Sequence, residues 1–455
     1  MLFQSQEFVL FLLPITLALY YAFADRPIAR QLTLVLASLV FYGWWDARFV
    51  PLLLGHCVVA WAGPKLAKRT GRRAFIDIAI ALQFISLALF KYTAFFFANV
   101  EQLLDVTLPK SNILLPIGIS FYTFQLVSYL IDVRRNEAPA HSLWSILLYI
   151  SFFPHLIAGP IVRHNELLPQ FTEHPLRPGV AERLGKGLTL FMIGMAKKVL
   201  LADPLSRIAD PIFATAGSAT SFGSAWTGTL AFSFQLFLDF SAYTEMAIGL
   251  ALMFGLILPE NFRQPYLATS LRDFWRRWHI TLATFLRDYI YIPLGGSRQG
   301  AGRYAMAIMV TMGACGLWHG AGWTYVTWGL LHGAGLIVCM AYQSLNRPLP
   351  SVVGWFLTML FVIVGWVIFR APNFAAAYDL LTAIAGVNGF DGRIQGRTLL
   401  LCAAAVSLLL PSSHQLIERH LKPLPAVAIP LSITFAFMML RINTDAPVTF
   451  IYFQF

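Results

Sequence analysis

A run of 43 residues without a charged side chain, from 304 to 346, constrains the fold more than any other feature. As helix, at about 1.5 Å per residue, the run would be about 65 Å long, which is two passes through a hydrocarbon core of about 30 Å. His319 and His332 interrupt the run, and each is followed by glycine. Because a polar ring inside a bilayer is costly, both histidines are candidates for function. The alternative is that each only forms a hydrogen bond between packed helices.

The composition is that of a polytopic membrane protein. Of the 455 residues, 58% are hydrophobic and 12% are charged, whereas a soluble domain carries about 25% charged residues. In a soluble protein the net charge of +11 would suggest nucleic acid as a partner. Here the basic residues lie in short loops between apolar runs, where membrane orientation and anionic headgroups explain them better. We therefore expect a lipid bilayer as a partner and no nucleic acid.

The apolar runs predict an all-α membrane protein of one domain, 1–455, with about eleven spans and some re-entrant pieces. They lie near 7–24, 30–45, 49–63, 74–97, 113–131, 143–158, 185–203, 224–257, 304–320, 323–342, 351–369, 398–411 and 424–440. The run at 224–257 is long enough for two short segments. The loop 65–73 holds five basic residues and no acid, which the positive-inside rule assigns to the cytoplasm. Because three predicted spans precede this loop, the N-terminus is expected outside.

The segment 260–303 is the exception to the apolar character, since it holds seven arginines against three acidic residues. From Asp273 to Tyr289 its pattern predicts one interfacial helix, with its charges on one side and an apolar stripe that includes His279 on the other. Arg276, Arg277 and Arg287 are nearest to His279 in the sequence. Guanidinium groups suit phosphates, so these arginines are candidates for receiving an anionic donor from the cytoplasm. The alternative is that they only anchor the helix to anionic lipid.

Polar groups within the apolar runs are the remaining candidates for chemistry. His279 is expected to point inward, and a neutral imidazole kept dry can act as the general base for a hydroxyl. Asp239 and Glu245 lie inside the apolar stretch 232–254. They are candidates for substrate binding, with helix packing as the alternative. Lys197 and Lys198 are expected to extend to the membrane surface.

No established catalytic or cofactor motif is present. The sequence has no P-loop, no dinucleotide fingerprint, no nucleophile elbow and no metalloprotease motif. The four cysteines lack the spacing of metal ligands. We therefore expect neither a metal nor a tightly bound cofactor.

A series of short blocks, taken in order, resembles the membrane-bound O-acyltransferase family, in particular its bacterial branch of alginate O-acetyltransferase membrane subunits. The blocks are PIGISFYTFQ (116–125), FPHLIAGPIVR (153–163), LDFSAYTEMAIG (238–249), PENF (259–262), FWRRWH (274–279) with RDY (287–289), LGGS (294–297) and GLWHGA (316–321). The resemblance runs from the first span to the last residue. Glu245 stands where that branch often has Asp, and Ala242 where Gly is common, which leaves the choice of substrate open.

The resemblance implies a ring of helices around a thin central wall, with funnels from both faces that meet near a catalytic histidine. His319 matches that histidine, and His279 matches the second histidine of the family. Asn261 and Trp318 lie in the matching blocks and join the candidates for substrate binding, as does His332. The implied reaction moves an acyl group from a cytosolic thioester, acetyl-CoA or another acyl thioester, across the bacterial inner membrane. The acceptor would be an exported polysaccharide, often reached through a periplasmic acetyltransferase partner.

Three other functions remain open from the sequence. Within the family, the acceptor could be peptidoglycan. In a different class, intramembrane histidines and carboxylates also suit a proton-coupled transporter of a polar substrate, although no inverted repeat is visible. A passive scaffold is disfavoured by the number of polar groups at apparent membrane depth.

The last six residues, FIYFQF (450–455), form a Phe-x-Tyr-x-x-Phe ending. It resembles the C-terminal tail of the small partner peptide in teichoic-acid D-alanylation, where a tyrosine is proposed to take the acyl group. The resemblance implies that Tyr452, on an extracytoplasmic C-terminus, is an acyl acceptor fused to the enzyme. A phenol has a pKa of about 10 and needs a base, which His319 could supply. The alternative is an aromatic anchor at the membrane surface.

Overall fold

The computed structural model describes residues 1–109, 113–387, 389–420, 425–442 and 450–451. Within these ranges all regular structure is helical, which confirms the all-α prediction. Five described helices are long and apolar enough to cross a membrane: Ala47–Thr70, Ala74–Leu104, Phe222–Met253, Trp323–Gln343 and Ser351–Arg370. Shorter apolar helices occupy Phe8–Ala22, Pro27–Gly43, Phe374–Ile384 and Arg397–Leu408. The estimate of about eleven spans stays a prediction.

The chain forms two compact units. The first comprises residues 1–192, 243–259 and 423–446. Its helices within the N-terminal part are Leu13–Ala22, Pro27–Gly43, Val50–Thr70, Ala74–Leu104, Ile119–Arg134, Leu143–Ser151, Phe153–Leu156 and His164–Leu167, and Pro425–Ile442 belongs to it as well. Val180–Ala196 and Phe222–Met253 contribute residues to both units. The prediction of one domain, 1–455, therefore stays a prediction.

The second unit comprises residues 193–242, 260–422 and 447–455. Among the site residues that the structure describes, it holds all of the predicted ones except Glu245. Its helices are Asp203–Ala214, Leu271–Arg277, Ile280–Leu286, Ala301–His319, Trp323–Gln343, Ser351–Arg370, Phe374–Ile384, Arg397–Leu408 and Ser413–Gln415, with π-helical turns at Lys197–Ala202, Arg287–Tyr291 and Leu416–His420.

The run at 224–257, although long enough for two short segments, forms the single helix Phe222–Met253. The helix contains no proline that would break its hydrogen bonding. Most of its residues are buried. A single long helix therefore carries Asp239 and Glu245, which lie in different units.

The uncharged run folds into a hairpin of the helices Ala301–His319 and Trp323–Gln343. Of the two, Trp323–Gln343 is among the helices long and apolar enough to cross a membrane, and the two passes stay a prediction. Glycines let the two backbones approach closely. A Cβ atom at Gly316 would overlap the Tyr325 carbonyl, and a Cβ atom at Gly329 would overlap that of Met312. The first helix ends at His319 because the chain becomes extended at Gly320.

The predicted helix from Asp273 to Tyr289 is broken at His279, so that prediction is wrong. The chain forms Leu271–Arg277, then an extended Trp278, and resumes as helix at Ile280. His279 adopts a left-handed conformation with φ of 44° and ψ of 54°, which costs free energy in a non-glycine residue. The inward orientation of the apolar stripe is nevertheless correct, because Trp275, His279, Leu282 and Leu286 are all buried.

Candidate active site

His319 lies at the C-terminal end of its helix and is surrounded by aromatic rings. Its ring centroid is 5.0 Å from that of Trp318, 5.2 Å from that of Trp328 and 5.4 Å from that of Phe369. Only 3% of the residue is exposed. The imidazole therefore lies in a dry aromatic environment, where electrostatic interactions with a reacting group are strong.

His279 is held by Asn261, which lies outside regular structure and 18 positions earlier in the chain. The Oδ1 atom of Asn261 is 3.2 Å from His279 Nδ1 and accepts hydrogen bonds from both the backbone N–H and the hydroxyl of Thr281. Because an amide oxygen only accepts, Nδ1 of His279 carries the proton and Nε2 carries the lone pair. Asn261 also accepts the backbone N–H of Ile280 with its own carbonyl. These bonds stabilise the break that orients His279.

His279 lies outside the helices that are long enough to cross a membrane, and complete burial lowers its pKa to about 3. Desolvation is the cause, since burial disfavours the charged imidazolium. The ring is therefore neutral near pH 7, the state in which an imidazole can accept a proton.

Trp318 contacts both candidate catalytic histidines. Its ring centroid is 6.0 Å from that of His279 and 5.0 Å from that of His319, and the residue is buried. The structure thus brings together His319, His279, Asn261 and Trp318, which the sequence separates by up to 58 positions.

His332 is fixed by a tryptophan of the arginine-rich segment. The indole N–H of Trp275 donates to His332 Nδ1 at 3.2 Å, which leaves the proton of a neutral His332 on Nε2. Trp328 lies beside both His332 and His319, with ring centroids 4.7 and 5.2 Å away. His332 is therefore one ring removed from His319, and it fixes the position of Trp275.

A cavity of about 370 Å³ opens next to Trp275. Its polar lining includes Arg272, Arg287, Tyr291, Ser297, Tyr304 and Gln343, and the rest is mainly apolar. The ring centroid of Trp275 lies 6.0 Å from that of Trp328, which in turn contacts His319. A chain of two aromatic rings therefore joins the cavity wall to His319.

The predicted arginines differ in their position relative to this cavity. Arg287 lines it, while its Nε also donates to Asp288 at 2.6 Å. Arg277 is paired with Asp273 at 2.9 Å, and Arg276 is exposed; neither lines the cavity.

The two predicted carboxylates have different surroundings. Asp239 is buried in the second unit, 2.9 Å from Lys198 Nζ, and its Oδ2 accepts the backbone N–H of Ile451. Lys198 is only 2% exposed, so the prediction that it reaches the membrane surface is wrong: Asp239 and Asp203 provide the opposite charge that its burial requires. Glu245 is buried in the first unit.

Phe450 is separated from His279 by one aromatic ring. Phe450 lies 6.0 Å from Phe240, whose ring is 4.8 Å from that of His279. Tyr452, the predicted acyl acceptor, lies outside the described residues.

Comparison with known proteins decides the family. The model of MBOAT, the membrane-bound O-acyltransferase family, matches residues 77–378. The chain belongs to this family. It is therefore an acyltransferase and a multi-pass membrane protein.

Similar proteins cover most of this O-acyltransferase. A probable alginate O-acetylase of Pseudomonas aeruginosa is 40% identical over 395 residues, which is 84% of this chain and 75% of the relative. A peptidoglycan O-acetyltransferase of Helicobacter pylori is 38% identical over 425 residues, covering 86% and 80%. A probable alginate O-acetylase of Pseudomonas syringae is 41% identical over 388 residues, covering 83% and 74%.

Sequence reasoning missed several residues of this O-acyltransferase site. Arg272 lines the cavity, Trp328 and Phe369 pack against His319, and Lys198 pairs with Asp239. For Lys198 a signal existed, because a charged residue inside an apolar run needs a partner of opposite charge. The aromatic rings gave no comparable signal among the chain's many phenylalanines and tryptophans.

Proposed function

We propose that the chain passes an acetyl group from a cytosolic thioester donor, acetyl-CoA or another acyl thioester, across the bacterial inner membrane for O-acetylation of an exported, alginate-like polysaccharide. The observation that carries this proposal is the aromatic chain from the cavity at Trp275, through Trp328, to the buried His319. The similarity to two probable alginate O-acetylases supports the choice of acceptor.

The cavity suits the donor because it combines charge and apolar surface. Arg272 and Arg287 offer guanidinium groups for phosphate, and the apolar lining can take the thioester arm. A volume near 370 Å³ lies within the range of ligand sites, about 300–1,000 Å³. The cavity would thus open to the cytoplasm.

His319 acts as the general base in this proposal. It takes the proton of the acceptor hydroxyl while the hydroxyl oxygen attacks the thioester carbonyl; the C–S bond then breaks, and the thiolate leaving group takes up the proton. His279, set by Asn261, presents its Nε2 lone pair beside Trp318 and orients the acceptor. Proton removal by His319 and orientation of the acceptor by His279 both need a site without water, and both imidazole rings are buried.

The first acceptor in this route is the Tyr452 hydroxyl, from which the acetyl group passes to the polysaccharide through a periplasmic acetyltransferase partner. Phe450 lies one ring from His279, which supports an approach of the tail to the histidines. Both chain termini are then extracytoplasmic, and Asp239, Glu245 and His332 support the site rather than react.

Peptidoglycan is the second candidate acceptor, because the Helicobacter pylori relative carries that activity in its name. The alternatives are separated by the glycan that becomes acetylated when the protein and its partner are reconstituted.

The decisive experiment uses the purified protein in proteoliposomes with radiolabelled acetyl-CoA inside. We expect thiol release inside and label on Tyr452, and no label in the Tyr452→Phe variant, which keeps the ring and lacks only the hydroxyl. Normal acetylation of the final acceptor by Tyr452→Phe would disprove the tail route. A lack of thiol release by the wild-type protein would disprove acetyl-CoA as the donor.

A further inference from the structure

A cluster of three charged residues, two of them buried and Asp203 partly exposed, lies in the second unit, away from the histidines' own hydrogen bonds. Lys198 Nζ is 2.7 Å from Asp203 Oδ1 and 2.9 Å from Asp239 Oδ1. Two carboxylates thus share one ammonium group, whose side chain is only 3% exposed. Asp203 alone would be enough to balance Lys198, so ion pairing with the lysine does not by itself account for Asp239.

The two oxygens of Asp239 have separate partners. Oδ1 faces Lys198, whereas Oδ2 accepts the backbone N–H of Ile451 at 2.9 Å, from a residue 212 positions later in the chain. Hydrogen bonds to an ionised carboxylate are about twice as strong as neutral ones. Because the donor is a backbone group, this bond holds the described C-terminal segment, residues 450–451, without depending on the side chain at position 451.

The neighbouring residue fixes the same segment a second time. Phe240 follows Asp239 and packs against Phe450, with ring centroids 6.0 Å apart. Phe450 and Ile451 are each only 1% exposed. Since the ring of Phe240 also lies 4.8 Å from that of His279, these contacts hold Phe450 and Ile451 near a candidate catalytic histidine.

We propose that Asp239 is a positioning residue that seats the chain's own C-terminal segment, with Lys198 and Asp203 holding its carboxylate in the required orientation. The seating itself is independent of the chemistry. Its effect on acetyl transfer rests on the proposed tail route.

Asp239→Leu tests the seating directly. The substitution removes one carboxylate and leaves Lys198 paired with Asp203, so no buried charge is left without a partner. Hydrogen–deuterium exchange of the full-length protein in detergent, read by mass spectrometry on the C-terminal peptide, reports on the Ile451 amide. We expect exchange about tenfold faster in Asp239→Leu, as the loss of one charge-assisted hydrogen bond predicts. Asp239→Asn keeps an acceptor oxygen, so its exchange rate at the Ile451 amide should lie between those of the wild-type protein and Asp239→Leu. If Asp239→Leu folds and its Ile451 amide exchanges as slowly as in the wild-type protein, the proposal is overturned.

A second pair of variants serves if Asp239→Leu does not fold. Ile451→Pro removes the N–H donor and leaves the charged cluster intact, whereas Ile451→Ala keeps the N–H. We expect acetyl transfer to the acceptor to fall much further in Ile451→Pro than in Ile451→Ala, at an unchanged KM for acetyl-CoA. Equal losses in the two variants would overturn the proposal. If wild-type protein released no thiol from acetyl-CoA, the proposed function would fail, while the exchange measurement would still decide the seating.

Discussion

Trp328 packs edge-on against His319, with ring centroids 5.2 Å apart and ring planes at 89°. The same indole contacts His332 and Trp275, so one buried residue joins the catalytic candidate to the wall of the cavity. Through this contact the environment of His319 depends on residues from two other helices, Leu271–Arg277 and Trp323–Gln343.

Replacing Trp328 should therefore affect both stability and catalysis. Truncation of a fully buried tryptophan to alanine costs about 3–5 kcal/mol of unfolding free energy, so Trp328→Ala should unfold at a lower temperature. Trp328→Phe keeps an aromatic ring and should stay folded with reduced acetyl transfer. Thermal unfolding and thiol release, measured on both variants, check this. Full activity in Trp328→Phe would mean that the indole does not shape the site.

Asn261 should be required for the orientation of His279. In Asn261→Ala the N–H and hydroxyl of Thr281 lose their acceptor, and each buried unsatisfied group costs about 1–3 kcal/mol. Asn261→Gln keeps a neutral amide oxygen as acceptor and serves as the matched control. We expect a lower melting temperature and slower transfer in the alanine variant, with a smaller change in the glutamine variant. Equal behaviour of the two would contradict the assigned role.

The cavity arginines should determine donor affinity. Arg272→Gln and Arg287→Gln should each raise the KM for acetyl-CoA about tenfold, as expected for the loss of a charge-assisted contact to phosphate, with little change in kcat. Arg276→Gln is the comparison, because Arg276 is exposed and does not line the cavity. Initial rates at several salt concentrations would separate specific contacts from general attraction. The prediction fails if all three variants shift the KM equally.

Burial of His279 should make stability depend on pH. Its pKa falls from 6.5 to about 3 on folding, so between these values the unfolded chain binds the extra proton. Protonation of His279 in the unfolded chain therefore lowers the free energy of unfolding progressively as the pH falls below about 6.5. We expect the melting temperature to drop more steeply between pH 7 and pH 4 in the wild-type protein than in His279→Gln. If the melting temperatures of the wild-type protein and His279→Gln change with pH in parallel, His279 does not contribute to the pH dependence of stability.

The sequence predicts those features that depend on local composition. The hairpin can be predicted because no charged residue lies between Arg303 and Arg347. The burial of the apolar stripe in residues 273–289 can be predicted from the spacing of its apolar residues. His319 is a candidate from the sequence because a histidine in such a run is unusual, and its catalytic role stays a prediction.

Features that depend on distant partners could not be predicted. The break at His279 requires Asn261, whose hydrogen bonds to Thr281 become visible only in the fold. Lys198 resembles a lysine that extends to the membrane surface until Asp239 is found beside it. Arg272 and Arg276 are both arginines of one segment, and only the fold shows that Arg272 lines the cavity.

The rate of acetyl-CoA-dependent O-acetylation by His319→Ala tests the central claim most directly. The variant and the wild-type protein would be reconstituted at equal amounts, after their melting temperatures are compared. Loss of a general base typically lowers the rate by about 10²–10⁴, and we expect a loss of this size with an unchanged melting temperature. Acetylation at the wild-type rate would contradict the assignment of His319 as the catalytic base.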